Sequence, residues 1–216
     1  MTTPLAEPVL TARDLYFAYP GQSPLVQAWS VRIGPGVTLL HGDTGSGKST
    51  LLRLLAGTQP ADAGQLALGG VRLDTDAAAY RRQVFWFDPH DAALDALTPP
   101  EHAAALQRDQ PLFDAPAWQH HAQGLGLSAH LHKPLYQLST GTRRKVGLAA
   151  ALASGCALTL LDEPTGALDG PSVAHLLRAL AALAAHTTRA ALVASSDVLT
   201  GVPWSAVIHL EAFQAQ

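Results

Sequence analysis

The sequence predicts an α/β fold built on a mainly parallel sheet. Three observations point there. Short apolar runs rich in branched residues recur at Val37-Thr38-Leu39-Leu40, Leu158-Thr159-Leu160-Leu161 and Ala191-Leu192-Val193-Ala194. Runs of that length and character suit strands buried on both faces. Helical stretches at 49–57, 143–153 and 176–185 separate them, and strands that alternate with helices imply crossover connections. The runs ending at Leu161 and Ala194 each give way abruptly to polar residues, as expected of strands that deliver groups to a site.

The elements follow in order. Leu15, Phe17 and Tyr19 alternate with Tyr16 and Ala18, and Pro20-Gly21 closes that strand. Trp29 to Ile33 alternates again before the turn Gly34-Pro35-Gly36. These strands predict an N-terminal antiparallel β subdomain. Val37 to Leu40 is the first buried parallel strand, and Ser49 to Gly57 reads as a helix. Residues 77–83 are polar and alanine-rich. Val84 to Phe87 is a further strand. From about 98 to 135 the chain is helical in tendency but interrupted by Pro99, Pro100, Pro111, Pro116 and Pro134, which predicts an inserted helical subdomain at about 90–140. Leucines at 176, 177, 180 and 183 mark a helix, and Val207 to Leu210 is a last strand.

With 216 residues, the chain suits one domain spanning 1–216. Hydrophobic residues make up 48% and charged residues 14%, enough for a sizeable core and a surface partly covered by a partner. The net charge of −3 argues against nucleic acid as a partner, because phosphate binding needs a basic excess. Cys156 is the one cysteine, so no internal disulfide forms. Its apolar neighbours point to a buried, inert thiol. The N-terminus lacks a basic segment followed by an apolar run, so no secretory signal is expected. The longest uncharged stretch, Val146 to Leu161, is shorter than the ~20 residues a membrane span needs. It reads as a buried helix, a break at Ser154-Gly155 and a buried strand. The chain is expected to be soluble.

Gly42-Asp43-Thr44-Gly45-Ser46-Gly47-Lys48-Ser49 fits the phosphate-loop pattern at every fixed position, between a strand and a helix. Glycines let backbone N–H groups turn inward around a phosphate chain. The helix N-terminus adds a favourable dipole. Lys48 would place a point charge on the β- and γ-phosphates, and the Ser49 hydroxyl can hold Mg²⁺. Residues Gly42 to Thr50 are therefore the candidate nucleotide-binding loop of a P-loop NTPase core. Asp162 and Glu163 end the strand before Pro164. Asp162 is a candidate Mg²⁺ ligand. Glu163 is a candidate base for the attacking water. No Asn-Lys-x-Asp string occurs, which disfavours a GTPase.

From about Val9 to Leu210 the chain resembles the ATPase subunit of ATP-binding cassette (ABC) transporters. Leu138-Ser139-Thr140-Gly141-Thr142, before Arg143-Arg144-Lys145-Val146, looks like that family's signature sequence. Asp162-Glu163-Pro164-Thr165 with Ala167-Leu168-Asp169 looks like its acid pair and D-loop. The resemblance implies that Tyr19 stacks on adenine. It implies that Ser139, Gly141 and Thr142 contact the nucleotide of a second subunit, in a head-to-tail homo- or heterodimer. It also implies a separate transmembrane permease, and a cytoplasmic ATPase peripheral on the inner face of the membrane. The groove near residues 85–135 is then the expected docking face.

Four positions, in three motifs, depart from the family pattern. Thr140 and Thr142 replace a glycine and a glutamine in the signature. No glutamine follows the strand at 84–87; Asp88 is the nearest match and a third candidate metal ligand. Ser196 stands where relatives place a histidine that bonds the γ-phosphate. A neutral hydroxyl bonds more weakly than a charged donor, so the expected function is an ATPase that binds and hydrolyses MgATP at a rate reduced by these positions. The alternative function is a nucleotide-binding regulatory module with little hydrolysis. His120-His121 and His130/His132 do not read as a metal site, because adjacent helical residues point about 100° apart and no cysteine or paired acid joins them.

Overall fold

The chain builds two sheets that differ in how they meet water. In the computed structural model, residues 7–87 and 94–210 are described. The elements, in chain order, begin with β1 (Leu10–Phe17), β2 (Val26–Ile33), β3 (Gly36–His41) and α1 (Lys48–Leu55). Next come β4 (Ala63–Leu68), β5 (Val71–Arg72), α2 (Ala77–Arg82) and β6 (Val84–Trp86). Then follow α3 (Pro99–Asp109), α4 (Ala115–Gly124), α5 (Thr140–Ala153), β7 (Leu158–Asp162), α6 (Gly170–Leu183), β8 (Ala190–Ser195) and β9 (Ala206–His209).

One sheet is antiparallel, in the order β2-β1-β4-β5; the other is parallel, in the order β6-β7-β8-β3-β9. The mainly parallel core and the N-terminal antiparallel layer are as the sequence predicts. The parallel strands carry side chains to two hydrophobic clusters by simple alternation. In β8, Ala191 and Val193 face one cluster while Ala190, Leu192 and Ala194 face the other. All six residues of β8 are buried.

β1 begins five residues before the alternation at Leu15–Tyr19 suggests. Leu10 and Ala12 are buried, then Leu15 and Phe17, so the inward frame slips by one. The slip falls between Ala12 and Leu15, where Asp14 takes a positive φ of 49°. Such a bulge hides a strand from any strict period-2 reading. Tyr19 lies just beyond the strand. β4, β5 and α2 have no counterpart in the sequence reading. α6 starts at Gly170 rather than 176, because Asp169 caps it and Pro171 sits in its first turn, ahead of the leucine pattern.

The prolines between 98 and 135 are helix openers more than breaks. Pro99-Pro100 begin α3 behind a Thr98–Glu101 capping box, and Pro116 sits in the first turn of α4 behind the Asp114 cap. The missing N–H of proline costs nothing there. Two single 3₁₀ turns, Ser128–His130 and Leu135–Gln137, complete the described part of the insertion. Trp118, Leu125 and Leu127 join α5, α6 and one face of the parallel sheet in a shared core. Cys156 is free and buried. Among the described residues, no helix is long and apolar enough to cross a membrane.

Candidate nucleotide site

β3 runs into the loop at Gly42, and α1 starts at Lys48. The loop's shape depends on two left-handed glycines, Gly45 (φ 84°) and Gly47 (φ 97°). A Cβ on Gly47 would also lie 2.4 Å from the Leu25 side chain, so the position excludes other residues twice over. Lys48 is buried and folds back over the loop. Its Nζ donates to Gly42 O at 2.7 Å and Asp43 O at 3.0 Å, and lies 3.2 Å from Glu163 Oε1.

β7 and β8 pair in register, with Asp162 opposite Ala194. That pairing delivers Asp162, Glu163 and Ser196 to one edge. Glu163 takes a left-handed φ of 42°, uncommon for a residue with a Cβ. Several contacts hold it: its N–H donates to Ala194 O at 2.9 Å, its Oε1 accepts from Ser196 N at 2.9 Å, Lys48 pairs with the same oxygen, and its carbonyl accepts from Gly166 N and from Arg144. Asp162 is half-buried, and desolvation pushes its carboxyl above the usual carboxylate range. A hydrogen bond from Ser49 and the charges of Lys48 and Arg144 oppose that shift, while the Glu163 charge adds to it. Asp162 Oδ1 has no hydrogen-bond partner.

Tyr19, Thr44, Gly45, Gly47, Lys48, Ser49, Thr50, Glu163 and Ser196 line one open groove. The Tyr19 ring packs edge-on against Phe17, 4.9 Å between centroids. Its hydroxyl is 3.0 Å from Thr50 Oγ1. Asp43 is exposed beside the groove. Ser46 is buried, and its hydroxyl has no hydrogen-bond partner. Asp162 faces a neighbouring recess that also includes Ser49. Asp88 lies outside the described residues.

The signature residues do not line this groove. Ser139 caps α5, accepting from Thr142 N at 3.2 Å, and its Oγ is 2.9 Å from Thr142 Oγ1. Ser139 is exposed. Gly141 abuts the next loop: a Cβ there would meet Ala167 O at 2.6 Å.

Arg144 escaped the sequence reading. It leaves α5 and donates Nη1 to Glu163 O at 3.0 Å and to Gly166 O at 2.8 Å. Its lone signal is its place in a signature helix, which does not say where a side chain reaches. Lys145, beside it, pairs with Asp169.

The donor set suits a hard divalent ion. The Ser49 hydroxyl and the buried, unpartnered Asp162 Oδ1 offer two oxygens at one recess, the ligand type Mg²⁺ prefers.

Residues 26–166 match the family model described as ABC transporter. The cytochrome c biogenesis ATP-binding export protein of Pseudomonas fluorescens is 36% identical over 198 residues, covering 89% of this chain and 88% of that one. The lipoprotein-releasing system ATP-binding protein of Anaeromyxobacter dehalogenans is 36% identical over 184 residues, covering 76% of each. An ATP-binding cassette solved as a dimer after hydrolysis, with ADP and phosphate bound, superposes with a TM-score of 0.74 at 21% identity. It covers 95% of this chain and 97% of that one.

Proposed function

The chain belongs to the ABC transporter family, and from that premise we propose that it is the ATP-binding and ATP-hydrolysing subunit of a transporter whose permease is another chain. The supporting observation is the convergence of Lys48, Glu163 and the Ser196 backbone on one oxygen beside the phosphate loop. In the resting site Lys48 is held by two carbonyls and Glu163. An arriving triphosphate gives Lys48 a stronger partner. Glu163 is then freed of its ion pair but still oriented by Ser196 N–H and Arg144. It is left to position a water and accept its proton. Ser49 and Asp162 are the residues that would hold Mg²⁺, which would supply charge neutralisation between the phosphates.

The exposed signature, lying away from the groove, supports a head-to-tail dimer. Ser139, Gly141 and the start of α5 form a second anion-binding end that meets a nucleotide held by another subunit's loop. ATP bridges both chains only when the dimer is closed, and this differential contact drives closure. Residues 1–216 act as one cassette, with the insertion at about 90–140 presenting the signature. A groove lined by Phe87, Leu94, His102, Leu106 and Leu135 is the docking face for the permease, which keeps the subunit at the inner membrane face. Relatives of equal identity are named for export in cytochrome c biogenesis and for lipoprotein release. The likeness therefore carries the cassette chemistry and leaves the cargo to the permease.

Steady-state ATP turnover tests this reading, measured on the protein alone and with its co-purifying membrane partner, beside Glu163→Gln. Loss of the base is expected to lower turnover by about 10²–10⁴-fold while ATP still binds. Wild-type turnover no higher than the variant's in both states overturns the hydrolase reading and leaves an ATP-gated binding module.

A further inference from the structure

Three imidazoles meet where α4 of the helical insertion faces α6. His120 and His121 come from α4, and His175 comes from α6. Adjacent helical residues cannot share a ligand alone, but a third histidine from another helix closes the set. Their ring centroids form a near-equilateral triangle, 5.3, 5.3 and 5.5 Å on a side. His121 Nδ1 lies 3.1 Å from His175 Nε2, and one nitrogen from each ring falls within 4.8 Å of the others.

We propose that His120, His121 and His175 bind a divalent transition-metal ion of the zinc class and staple α4 to α6. Zinc–nitrogen bonds of ~2.0–2.1 Å in a tetrahedron place ligand nitrogens about 3.4 Å apart and ring centres about 5 Å apart. The observed triangle is already of that size, so small side-chain rotations complete the set. Imidazole is a borderline donor that suits zinc, copper and nickel, not Mg²⁺. His120 is exposed, His121 half-buried and His175 buried. The fourth position therefore opens to solvent, as in three-histidine sites that keep a water ligand.

Two further features fit. Gly124 ends α4 directly against His175: a Cβ there would lie 2.1 Å from Cε1 and Nδ1. The absent side chain lets the ring approach with Nε2 toward His121. Burial also lowers the proton affinity of His121, to about 4, helped by the charges of His175 and His120. Burial lowers that of His175 too. Burial thus favours the neutral form of both rings, the form that ligates. Of the charges that act on them, Asp114 favours a cation at His121 and Arg178 opposes one at His175.

The test is titration of the nucleotide-free full chain with Zn²⁺ by calorimetry, with Co²⁺ absorption as a second readout. One Zn²⁺ per chain is expected, with Co²⁺ showing the intense visible bands of four-coordination. A hundredfold excess over Kd should raise Tm by roughly 5–10 °C. His120→Ala, a surface change that does not threaten the fold, is expected to weaken binding at least tenfold and abolish the Co²⁺ bands. Gly124→Ala is expected to weaken it with all three ligands kept. His130→Ala/His132→Ala should bind as wild type. Equal zinc affinity in wild type and His120→Ala, or loss of binding in His130→Ala/His132→Ala, overturns the proposal. It would then leave His121 and His175 as a hydrogen-bonded pair between two helices.

Discussion

The backbone N–H of Ser196 donates to Glu163 Oε1 at 2.9 Å, so Ser196 reaches the candidate base through its main chain. Any residue but proline keeps that bond. The side chain at 196 is therefore free to be changed without releasing Glu163. Ser196→His keeps the N–H and adds a longer donor that can carry charge. One charge-assisted bond that strengthens as charge develops on the γ-phosphate in the transition state is worth roughly 1.5–3 kcal/mol, so kcat is expected to rise by about 10–100-fold. Nucleotide Kd should stay within about threefold, since Lys48 and the loop are untouched. Steady-state kinetics with nucleotide titration checks both. An unchanged kcat means position 196 does not face the γ-phosphate.

The phosphate loop and acid pair were legible because each is a contiguous string at the end of a strand. Their meeting in space follows from the parallel order β7-β8-β3, which places three strand ends side by side. Arg144 and His175 were not legible in this way. Each acts across two elements: Arg144 from α5 onto the loop after β7, His175 from α6 onto α4. Spacing within one helix carries no record of such a neighbour. β1 was half hidden for a local reason, the bulge at Asp14 that reverses its inward frame.

Arg144 ties the left-handed Glu163 to the signature helix through two main-chain carbonyls. Arg144→Ala removes both bonds and lets Glu163 relax toward an ordinary φ. Two bonds from a charged, partly buried donor are together worth about 2–3 kcal/mol. For a chain of this size that corresponds to a Tm lowered by roughly 4–10 °C. Turnover is expected to fall more than ATP affinity, because the base is misplaced while the loop is intact. Calorimetry and kinetics on one preparation check this. A fall in affinity equal to the fall in kcat places Arg144 in nucleotide binding instead.

Gly141 touches the Ala167 carbonyl with no room for a methyl group, 2.6 Å from an added Cβ. Gly141→Ala therefore pushes the signature away from the segment that leads to Asp169. In a Glu163→Gln background, which holds ATP, dimer formation should weaken by at least tenfold. Binding of ATP to the single chain should hold within about threefold. Sedimentation against protein concentration, with and without ATP, reads the first, and fluorescent-nucleotide titration the second. A dimer as strong as the parent's would mean that the signature does not meet the partner's nucleotide.

Asp162 is half-buried with one buried carboxylate oxygen unpartnered, and its carboxyl is pushed upward chiefly by desolvation. The folded chain thus holds this proton more tightly than the unfolded chain does. The linked stability is fully present below the ordinary carboxylate pKa and is lost as pH rises through the raised value. At neutral pH the ionised group is a net cost to the nucleotide-free protein. Asp162→Asn keeps the size and a hydrogen-bonding oxygen for Ser49 but has no charge to bury. It is expected to raise Tm by a few degrees at pH 8, with the gain shrinking toward pH 4. The same change removes an anionic oxygen from the candidate Mg²⁺ ligands, so Mg²⁺-dependent ATP affinity should fall at least tenfold. Thermal unfolding across pH, paired with ATP titration with and without Mg²⁺, separates the two effects. A lower Tm than wild type at pH 8 would show that Lys48 and Arg144 stabilise the charge more than burial opposes it.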